Sequence, residues 1–310
     1  MYYPLLRARQ FELIALRDLA NTNTSQGTIV PILEPVKESF NNLNIALSTF
    51  ATTRQQAFLI VNPMVGEVTG NRDVFLEYLQ QGGFSIGRAF YYRDNADYIL
   101  TAIKDYGLGD CMVICQNDLN PDDTEFRSLV ESASVQSIVV EDPGRNRALD
   151  RYVRGLGKTY IRLDDFFEKQ QRNSDFLDIQ EHRFSEEHLH YANESFSGFS
   201  DYTVLPSEFS DSGSTPRAVV IHLTYMKADN QIWIRHFTSD TNDSIANVQG
   251  KFAEAAEKAV GFCRTNGFNN AAIAELEDYY DRQHYPGLGT VKKISIKNHL
   301  LILQDYLSHH

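Results

Sequence analysis

The sequence predicts an α/β barrel of the TIM type, and three observations support this prediction. Six short apolar runs rich in β-branched residues occur in the first 165 residues, and each ends at a polar residue and a turn signal. A stretch with helical apolar spacing follows each run. The runs begin about 23 to 28 residues apart, which suits a strand plus a returning helix. The six runs are VPILEP, FLIVNP, RAFYYRD, MVICQND, SIVVEDP and YIRLDD.

The first half of the chain is predicted to alternate regularly between strands and helices. A helix over 11–20 comes first, because Phe11, Ile14 and Leu19 form an apolar stripe at helical spacing. The strands are predicted to begin near Ile29, Ala57, Ser85, Cys111, Gln136 and Thr159. Helices are predicted between and after them, over 40–50, 73–80, 95–106, 123–132 and 147–154.

The regular alternation breaks after the sixth run. A polar insertion over 166–200 is expected to form helices of its own or a lid before the seventh strand, DYTVLP. The segment 218–238 alternates apolar and polar residues around a polar turn, which predicts a β-hairpin. Its first strand, AVVIHLTYM, is counted as the eighth strand of the barrel.

The end of the chain is predicted to be helical, over 244–266 and 291–307. The whole chain, 1–310, is expected to form one barrel-like domain with irregular last units, because PSEFSDSGSTPR is too short and polar for a crossover helix. Eight parallel strands joined mostly by helices favour a closed barrel. An open doubly wound sheet is the alternative.

Charge restricts the classes of partner. The net charge is −12 and the pI is near 5.2, which disfavours a general nucleic-acid-binding surface because polyanions are repelled. A small anionic ligand or a protein partner is expected instead, and an oligomer is left open. Arginines within 145–154 either hold a phosphate or form the solvated face of a helix.

The chain is expected to be cytoplasmic. Its longest apolar stretches, such as AFLIVNPMV, are far below the roughly 18 residues that a membrane span needs. The N-terminal segment carries charges within its apolar pattern and lacks a small-residue cleavage site, so no signal peptide is predicted. Three cysteines, Cys111, Cys115 and Cys263, argue against a disulfide framework and are expected to be packing residues.

The site is expected at the carboxyl ends of the strands, where barrels bind their ligands. Outward side chains must meet helices and be apolar, whereas lumen side chains near the mouth can be polar. In TYIRLDD, Ile161 and Leu163 share one face. The other face, with Tyr160, Arg162 and Asp164, is therefore assigned to the lumen.

The same phasing selects polar side chains at other strand ends. Glu34 ends the first strand and Asn62 the second. After the fifth strand, Asp142 is preferred, and Glu141 is assigned to the opposite face unless a bulge intervenes. The candidate set from the strands is Glu34, Asn62, Asp142, Arg162, Asp164, Asp201 and His222.

Roles follow from residue type. The candidates for catalysis are Glu34, Asp142, Asp164 and His222, and those for binding include Asn62, Arg162 and Asp201. Carboxylates beside an arginine and a histidine could hold a divalent metal of unknown identity and a phosphoryl group, or provide an acid and a base. Helix capping is the alternative for Asp142 and Asp164. Arg162 in mid-strand needs an acidic neighbour or an anionic ligand.

The hairpin is the predicted subunit contact. Ile232 and Ile234 share one face of its second strand, and this aliphatic face is expected to meet the core. Trp233 and Phe237 lie on the other face, which is expected to be half exposed.

The opening segment YYPLLRARQFELIALRDLA, with TIVPILEPVK, FLIVNP and GFSDYTVLP, resembles the "beta protein" family of bacteria and their phages. The likeness spans most of the chain and is strongest at the N-terminus. It implies a barrel-like fold and a setting in phage–host conflict, and it brings no established activity. It also adds Arg7, Arg9 and Glu12 to the possible site residues, with the two arginines as substrate-binding candidates.

Two functions from different classes follow. The first is a barrel hydrolase acting on a phosphorylated or nucleotide-like small molecule, which requires Glu34, Asp142, Arg162 and Asp164 to converge in one pocket. The second is a non-catalytic partner or scaffold subunit of a defence or anti-defence complex, which requires an exposed apolar patch around Trp233. A glycosidase is a third interpretation, suggested by the aromatic residues Tyr91, Tyr92 and Tyr160.

Overall fold

The computed structural model describes residues 1–22, 27–70, 72–211 and 216–310. Eight parallel strands pair side by side in chain order, with helices between most of them, so the predicted barrel is confirmed. Its strands are β1 (Leu5–Leu6), β2 (Ile32–Leu33), β3 (Phe58–Ile60), β4 (Gly87–Tyr91), β5 (Cys111–Cys115), β6 (Val135–Glu141), β7 (Thr159–Leu163) and β9 (Gly198–Ser200).

Six helices surround the first seven strands and lie within a few residues of their predicted positions. Asp123 and Asn146 begin two of them by accepting hydrogen bonds from the backbone N–H groups of Phe126 and Leu149. The helices are α1 (Gln10–Asn21), α2 (Asn41–Thr53), α3 (Val74–Gly82), α4 (Ala96–Asp105), α5 (Thr124–Glu131) and α6 (Arg147–Gly155).

The barrel closes through its N-terminal segment. Tyr2 bridges to Phe199, and the N–H of Tyr3 donates to the carbonyl of Phe199 at 2.8 Å. A side chain at Gly198 would place its Cβ 2.5 Å from the Tyr3 ring, so this seam requires glycine. The closure excludes the open doubly wound sheet.

The predicted number of eight barrel strands is right, but two of the segments predicted to form them are not barrel strands. The missing first strand is β1, which precedes the opening helix and was too short to predict. The last strand is β9, inside the predicted insertion; DYTVLP itself is not a strand, and its Thr203 has a positive φ of 58°. AVVIHLTYM belongs to a different sheet.

A second, antiparallel sheet contains the predicted hairpin and one strand from the insertion. Its order is β10 (Val220–Met226), β11 (Ile232–Thr238) and β8 (Glu181–Ser185). Two single-turn helices, α7 (Phe176–Ile179) and α8 (Glu187–His190), flank β8. The insertion therefore contributes one strand, β8, to this sheet and one strand, β9, to the barrel.

Three long helices complete this half of the molecule, namely α9 (Val248–Asn266), α10 (Ala271–Asp281) and α11 (Leu288–His309). Ile221, Leu223 and Phe237 pack against α9 and α10, whereas Ile232 and Ile234 pack toward α11 and the barrel. The expectation that the Trp233 face is half exposed is wrong for Phe237, which is buried. Trp233 itself is partly buried beneath the ammonium of Lys227, 3.1 Å from the ring centroid. Among the described residues around Trp233, the expected exposed apolar patch does not form.

The barrel strands bury both faces. One set of side chains packs within the lumen, and the other packs against the surrounding helices. The lumen set is Tyr3, Leu5, Val30, Ile32, Ile60, Ala89, Tyr91, Met112, Ile114, Val139, Ile161, Leu163 and Tyr202. Because both faces are apolar, the strands carry no polar stripe that marks the lumen side.

No helix in the described part of the chain is long and apolar enough to cross a membrane.

A buried polar chain ties the barrel seam to α11 and the second sheet. The hydroxyl of Tyr2 donates to Asp201 Oδ1 at 2.5 Å, and Asp201 Oδ2 lies 3.6 Å from His299 Nε2. His299 Nδ1 in turn lies 3.3 Å from the hydroxyl of Thr224 on β10. All four residues are at least 98 % buried. This contact joins the two halves of the molecule through groups that water cannot satisfy.

Replacing His299 or Asp201 by alanine should therefore destabilise the fold by about 3 kcal/mol. Loss of the Asp201 carboxylate leaves the buried Tyr2 hydroxyl and the Thr203 N–H without their acceptor, and loss of the fully buried His299 ring opens a cavity. Urea unfolding followed by circular dichroism measures this loss. His309→Ala, an exposed change on the same helix, is the control and should shift stability by no more than about 0.5 kcal/mol. Equal stability of His299→Ala and His309→Ala would contradict the role of the polar chain.

Candidate functional site

The mouth of the barrel has a lower layer organised by Glu34. This carboxylate is fully buried and accepts hydrogen bonds from Arg7 Nη1, from the Tyr91 hydroxyl at 3.1 Å and from the Met64 N–H at 2.8 Å. Arg7 follows β1, and Glu34 follows β2, so their pairing joins two adjacent strand ends. With its oxygens occupied in this way, Glu34 positions Arg7 and Tyr91.

Asn62 serves the same layer from the end of β3. Its Nδ2 donates to the carbonyl of Tyr91, and its Oδ1 accepts from the Tyr91 N–H, each at 2.8 Å. The side-chain amide thus continues the strand pairing between β3 and β4 by one step. The structure places Glu34 and Asn62 together at the mouth, as the strand phasing predicts, and both hold Tyr91.

The upper layer combines the predicted Arg7 with charged groups that the sequence analysis did not select. Arg93 lies 5.6 Å from the Tyr91 ring centroid, and Arg7 lies 5.4 Å from that of Tyr202. Glu141, at the end of β6, interacts electrostatically with both guanidinium groups and with Asp165. Burial raises the pKa of Tyr202, and the nearby Glu141 charge raises it further. Two cations, two carboxyl groups and a phenol therefore meet here.

Glu141 is the carboxyl group of this layer whose pKa is raised. Burial raises its pKa, and Asp165 and Asp142 add to that effect, while Arg93 and Arg7 oppose it. Among the described residues, none forms a hydrogen bond or a salt bridge with its carboxyl group. A half-buried carboxyl group that has a raised pKa and no hydrogen-bond partner among the described residues is suited to proton transfer.

Residues 205–211 form a strap along one side of the mouth. Arg7 Nη2 donates to the Ser207 carbonyl, and Arg9 Nη2 donates to the Ser210 carbonyl at 2.6 Å. The N–H of Ser207 donates to Asp165. A cavity of about 480 Å³ opens beside Arg9 and is also lined by Lys37 and Phe40. Arg9 therefore lies next to the mouth but at its rim, outside the cluster around Glu141.

Glu12 lies in the first turn of α1, where its carboxylate accepts a hydrogen bond from the Arg9 N–H at 3.4 Å. Its buried carboxylate accepts from Lys292 Nζ at 2.7 Å, which attaches α1 to α11. It is a structural ion pair.

The assignment of Arg162 and Asp164 to the lumen is wrong. Ile161 and Leu163 face the lumen, so Arg162 and Asp164 point outward. There Arg162 Nε lies 2.7 Å from Asp164, and Arg162 Nη1 lies 2.8 Å from Glu187. The arginine thus has the acidic neighbours that its position demanded. Tyr160 is also outward and packs near Phe196, which leaves Tyr91 as the mouth tyrosine among the three behind the glycosidase interpretation.

Asp142 is also wrongly phased. It has a positive φ of 42°, is half exposed and pairs with Arg145 at 2.7 Å. Glu141 takes the lumen position together with Val139. A change of phase by one residue exchanges all lumen and outward side chains of a strand, and the apolar pattern of a doubly buried strand does not reveal it.

The two late candidates are outside the barrel lumen. Asp201 belongs to the buried polar chain with Tyr2 and His299. His222 lies on β10, where its Nδ1 is 2.7 Å from that of His236, and Phe176 packs against both rings. Burial lowers the pKa of His222 to about 3, so this pair is neutral at physiological pH.

The predicted four-residue cluster therefore does not form: of Glu34, Asp142, Arg162 and Asp164, only Glu34 is at the mouth. The residues that replace the others are Arg93, Glu141, Asp165 and Tyr202. Three of them could have been selected from the sequence, because Arg93, Glu141 and Asp165 lie in the polar ends of the runs RAFYYRD, SIVVEDP and YIRLDD. Within the described ranges, no group of three or more His, Cys, Asp or Glu side chains is arranged to hold a metal ion.

No protein-family model matches the chain, and no curated protein matches it. Among solved structures, the chain is similar to one of Mycobacterium tuberculosis tryptophan synthase. The two are 13% identical, and the similarity covers 66% of this chain and 83% of that chain, with a TM-score of 0.40. A likeness at this level carries no argument.

The contacts of Arg162 on the outer side of the barrel predict that stability depends on pH. Burial raises the pKa of Glu187 to about 7 despite the neighbouring Arg162. Between pH 4.5 and 7 the unfolded chain ionises this carboxyl group while the folded chain keeps it protonated. As the pH rises through this window, the free energy of unfolding of the native chain should therefore fall relative to that of Glu187→Gln. Urea unfolding at pH 4.5, 6 and 8 measures the difference.

Glu194→Gln is the matched control, because Glu194 contacts the same arginine but is exposed. Its difference from the native chain should vary little across the window. If Glu187→Gln and Glu194→Gln give parallel curves, burial is not what perturbs Glu187.

Proposed function

We propose that this protein is a barrel hydrolase acting on a phosphorylated or nucleotide-like small anion at the mouth of the barrel. The observation that supports this proposal is the Glu141 carboxyl group, which has a raised pKa and no described bonding partner, in the field of Arg7 and Arg93. An acid–base group beside fixed cations at the carboxyl ends of barrel strands is what hydrolysis of an anion requires.

Arg93 is the principal anion-binding group of the proposal. Its guanidinium donates one hydrogen bond to the Tyr92 carbonyl and forms no salt bridge with any described residue. A guanidinium has five N–H donors, so Arg93 keeps donors for a phosphoryl group. Arg7 is already bonded to Glu34 and the Ser207 carbonyl, and it contributes mainly its charge.

Glu141 and Asp165 provide the two proton transfers. The oxygen of a water molecule bonds to phosphorus as the bond to the leaving oxygen breaks. Glu141, whose pKa is raised by burial, donates its proton to the leaving oxygen from its protonated form. Asp165, exposed at the same mouth, accepts a proton from the attacking water. No step is assigned to a metal ion, although a phosphorylated substrate could bring one.

The non-catalytic scaffold is the less supported function. It requires an exposed apolar patch around Trp233, and that side chain lies beneath Lys227. The large apolar side chains that are exposed in the described chain are dispersed: Ile45, Met64, Val74, Leu177, Ile245 and Leu288. The phage–host setting remains a prediction from the family resemblance.

Hydrolysis assays on a panel of sugar phosphates and nucleotides test the proposal. Glu141→Gln should lower kcat at least about 100-fold, because the general acid is lost. Asp142→Asn is the matched control, since the adjacent carboxylate lies outside the lumen, and it should keep nearly full activity. Activity that survives Glu141→Gln, or that falls equally in Asp142→Asn, would contradict the assignment.

Arg93→Ala should raise KM by at least about 10-fold and remove the thermal stabilisation that the substrate gives. Arg145→Ala removes an exposed arginine near the same face and should leave both quantities unchanged. If the two variants behave alike, Arg93 does not bind the anion.

A further inference from the structure

A second concavity lies far from the mouth, among the helices of the C-terminal half. It has a volume of about 650 Å³ and lies between the end of β10, the junction of α9 with α10 and the last turns of α11. Pockets for small molecules usually have volumes of about 300–1,000 Å³. A stable protein interface needs about 800 Å² from each partner, and a concavity of this size favours a small molecule instead.

One wall of this C-terminal pocket is aromatic. Tyr225 and Phe262 have ring centroids 5.2 Å apart, and Phe268 lies 5.3 Å from Tyr225 and 5.6 Å from Phe262. Phe262 and Phe268 are only partly buried, although they pack against the adjacent core. Their rings therefore present apolar faces to an open cavity, which costs free energy while it is filled with water.

The remaining walls are aliphatic, from Leu223, Ile273 and Leu301. The thiol of Cys263 also lines the cavity, and burial raises its pKa to about 11, so it stays protonated and behaves as an apolar group. None of the described side chains named in these walls carries a charge.

The rim determines the charge of the ligand. Among the described residues that line the pocket, none is a lysine or an arginine, and Asp305 is the single carboxylate. The Asp305 side chain is 82% exposed, and its nearest cationic neighbour is His309, at 3.7 Å. Aromatic faces attract cations, and a carboxylate at the rim adds to that preference. The cationic groups nearby already face carboxylates: His309 faces Asp305, and Arg235, whose guanidinium lies 4.7 Å from the Phe262 ring centroid, pairs with Glu181 at 3.2 Å.

We infer that this C-terminal pocket binds an aromatic organic cation, with its ring against Tyr225, Phe262 and Phe268 and its positive charge near Asp305. The inference does not depend on the proposed hydrolase, because the pocket shares no residue with the barrel mouth and selects the opposite charge.

Thioflavin T, a cationic aromatic dye whose fluorescence rises when its rotation is restricted, is the probe. Titration of the full chain should give saturable binding of one dye per protein. Ala271→Trp fills the pocket from an exposed position at the start of α10 and should weaken binding at least 10-fold. Asp305→Asn should weaken it several-fold, since only the charge contact is lost.

The controls distinguish dye binding in the C-terminal pocket from dye binding elsewhere on the protein surface. Asp97→Asn, an exposed change on α4, and Arg93→Ala at the mouth should bind the dye as the native chain does. The anionic dye 8-anilinonaphthalene-1-sulfonate should bind more weakly than thioflavin T. Ser308→Trp blocks the pocket from α11 and replaces Ala271→Trp if that variant unfolds in a thermal melt.

Unchanged dye binding in a folded blocking variant would overturn the pocket assignment. Binding of the anionic dye as tight as that of the cationic dye, or an Asp305→Asn variant with native affinity, would overturn the inferred charge of the ligand.

Discussion

The rest of this structure depends on the seam where the N-terminal segment closes the barrel. Tyr2 and Tyr3 pair with Phe199, and the close approach is possible because position 198 is glycine. At the same seam, the Tyr2 hydroxyl donates a hydrogen bond to Asp201. Asp201 lies next to His299 of α11, which connects the seam to α11 and the second sheet. Closure makes the first and last strand ends neighbours. It thereby brings Arg7, from the start of the chain, over Tyr202, from beyond the last strand.

The mouth separates groups that hold the site from groups that are free to react. Glu34 and Asn62 use their hydrogen bonds on Arg7 and Tyr91, and a buried carboxylate satisfied in this way is a rigid base for the layer above. Glu141 has no such partners among the described residues, and its pKa is raised. Its carboxyl group can therefore exchange a proton with a ligand instead of holding neighbouring side chains in place. Positive charge from Arg7 and Arg93 lies beside it. The proposed hydrolase and the inferred cation pocket therefore occupy two regions with opposite electrostatic preference in an acidic protein.

The sequence-based expectations failed in a consistent way. Strand ends were found where apolar runs stop, and Glu34 and Asn62 were placed correctly. The phase of β6 and β7 was inverted, which exchanged Glu141 for Asp142 and made Arg162 a lumen residue. Both strands pack hydrophobic side chains on either face, so Ile161 and Val139 look no different in sequence from Tyr160 and Val140. Arg162 was a misleading guide because its three acidic partners come from the same strand and from residues 187 and 194, which no local pattern connects to it.

By itself the sequence determined the order of strands and helices from the opening helix through residue 163, and the edge of the sheet where polar groups collect. These features depend on local periodicity and on turn residues, which act over a few positions. The tertiary structure alone decided that a two-residue strand near the N-terminus closes the barrel, that the hairpin belongs to a second sheet, and that Glu141 rather than Asp142 enters the mouth. Each of these depends on contacts between residues far apart in the chain, such as Tyr2 with Phe199, whose free energy no local pattern contains.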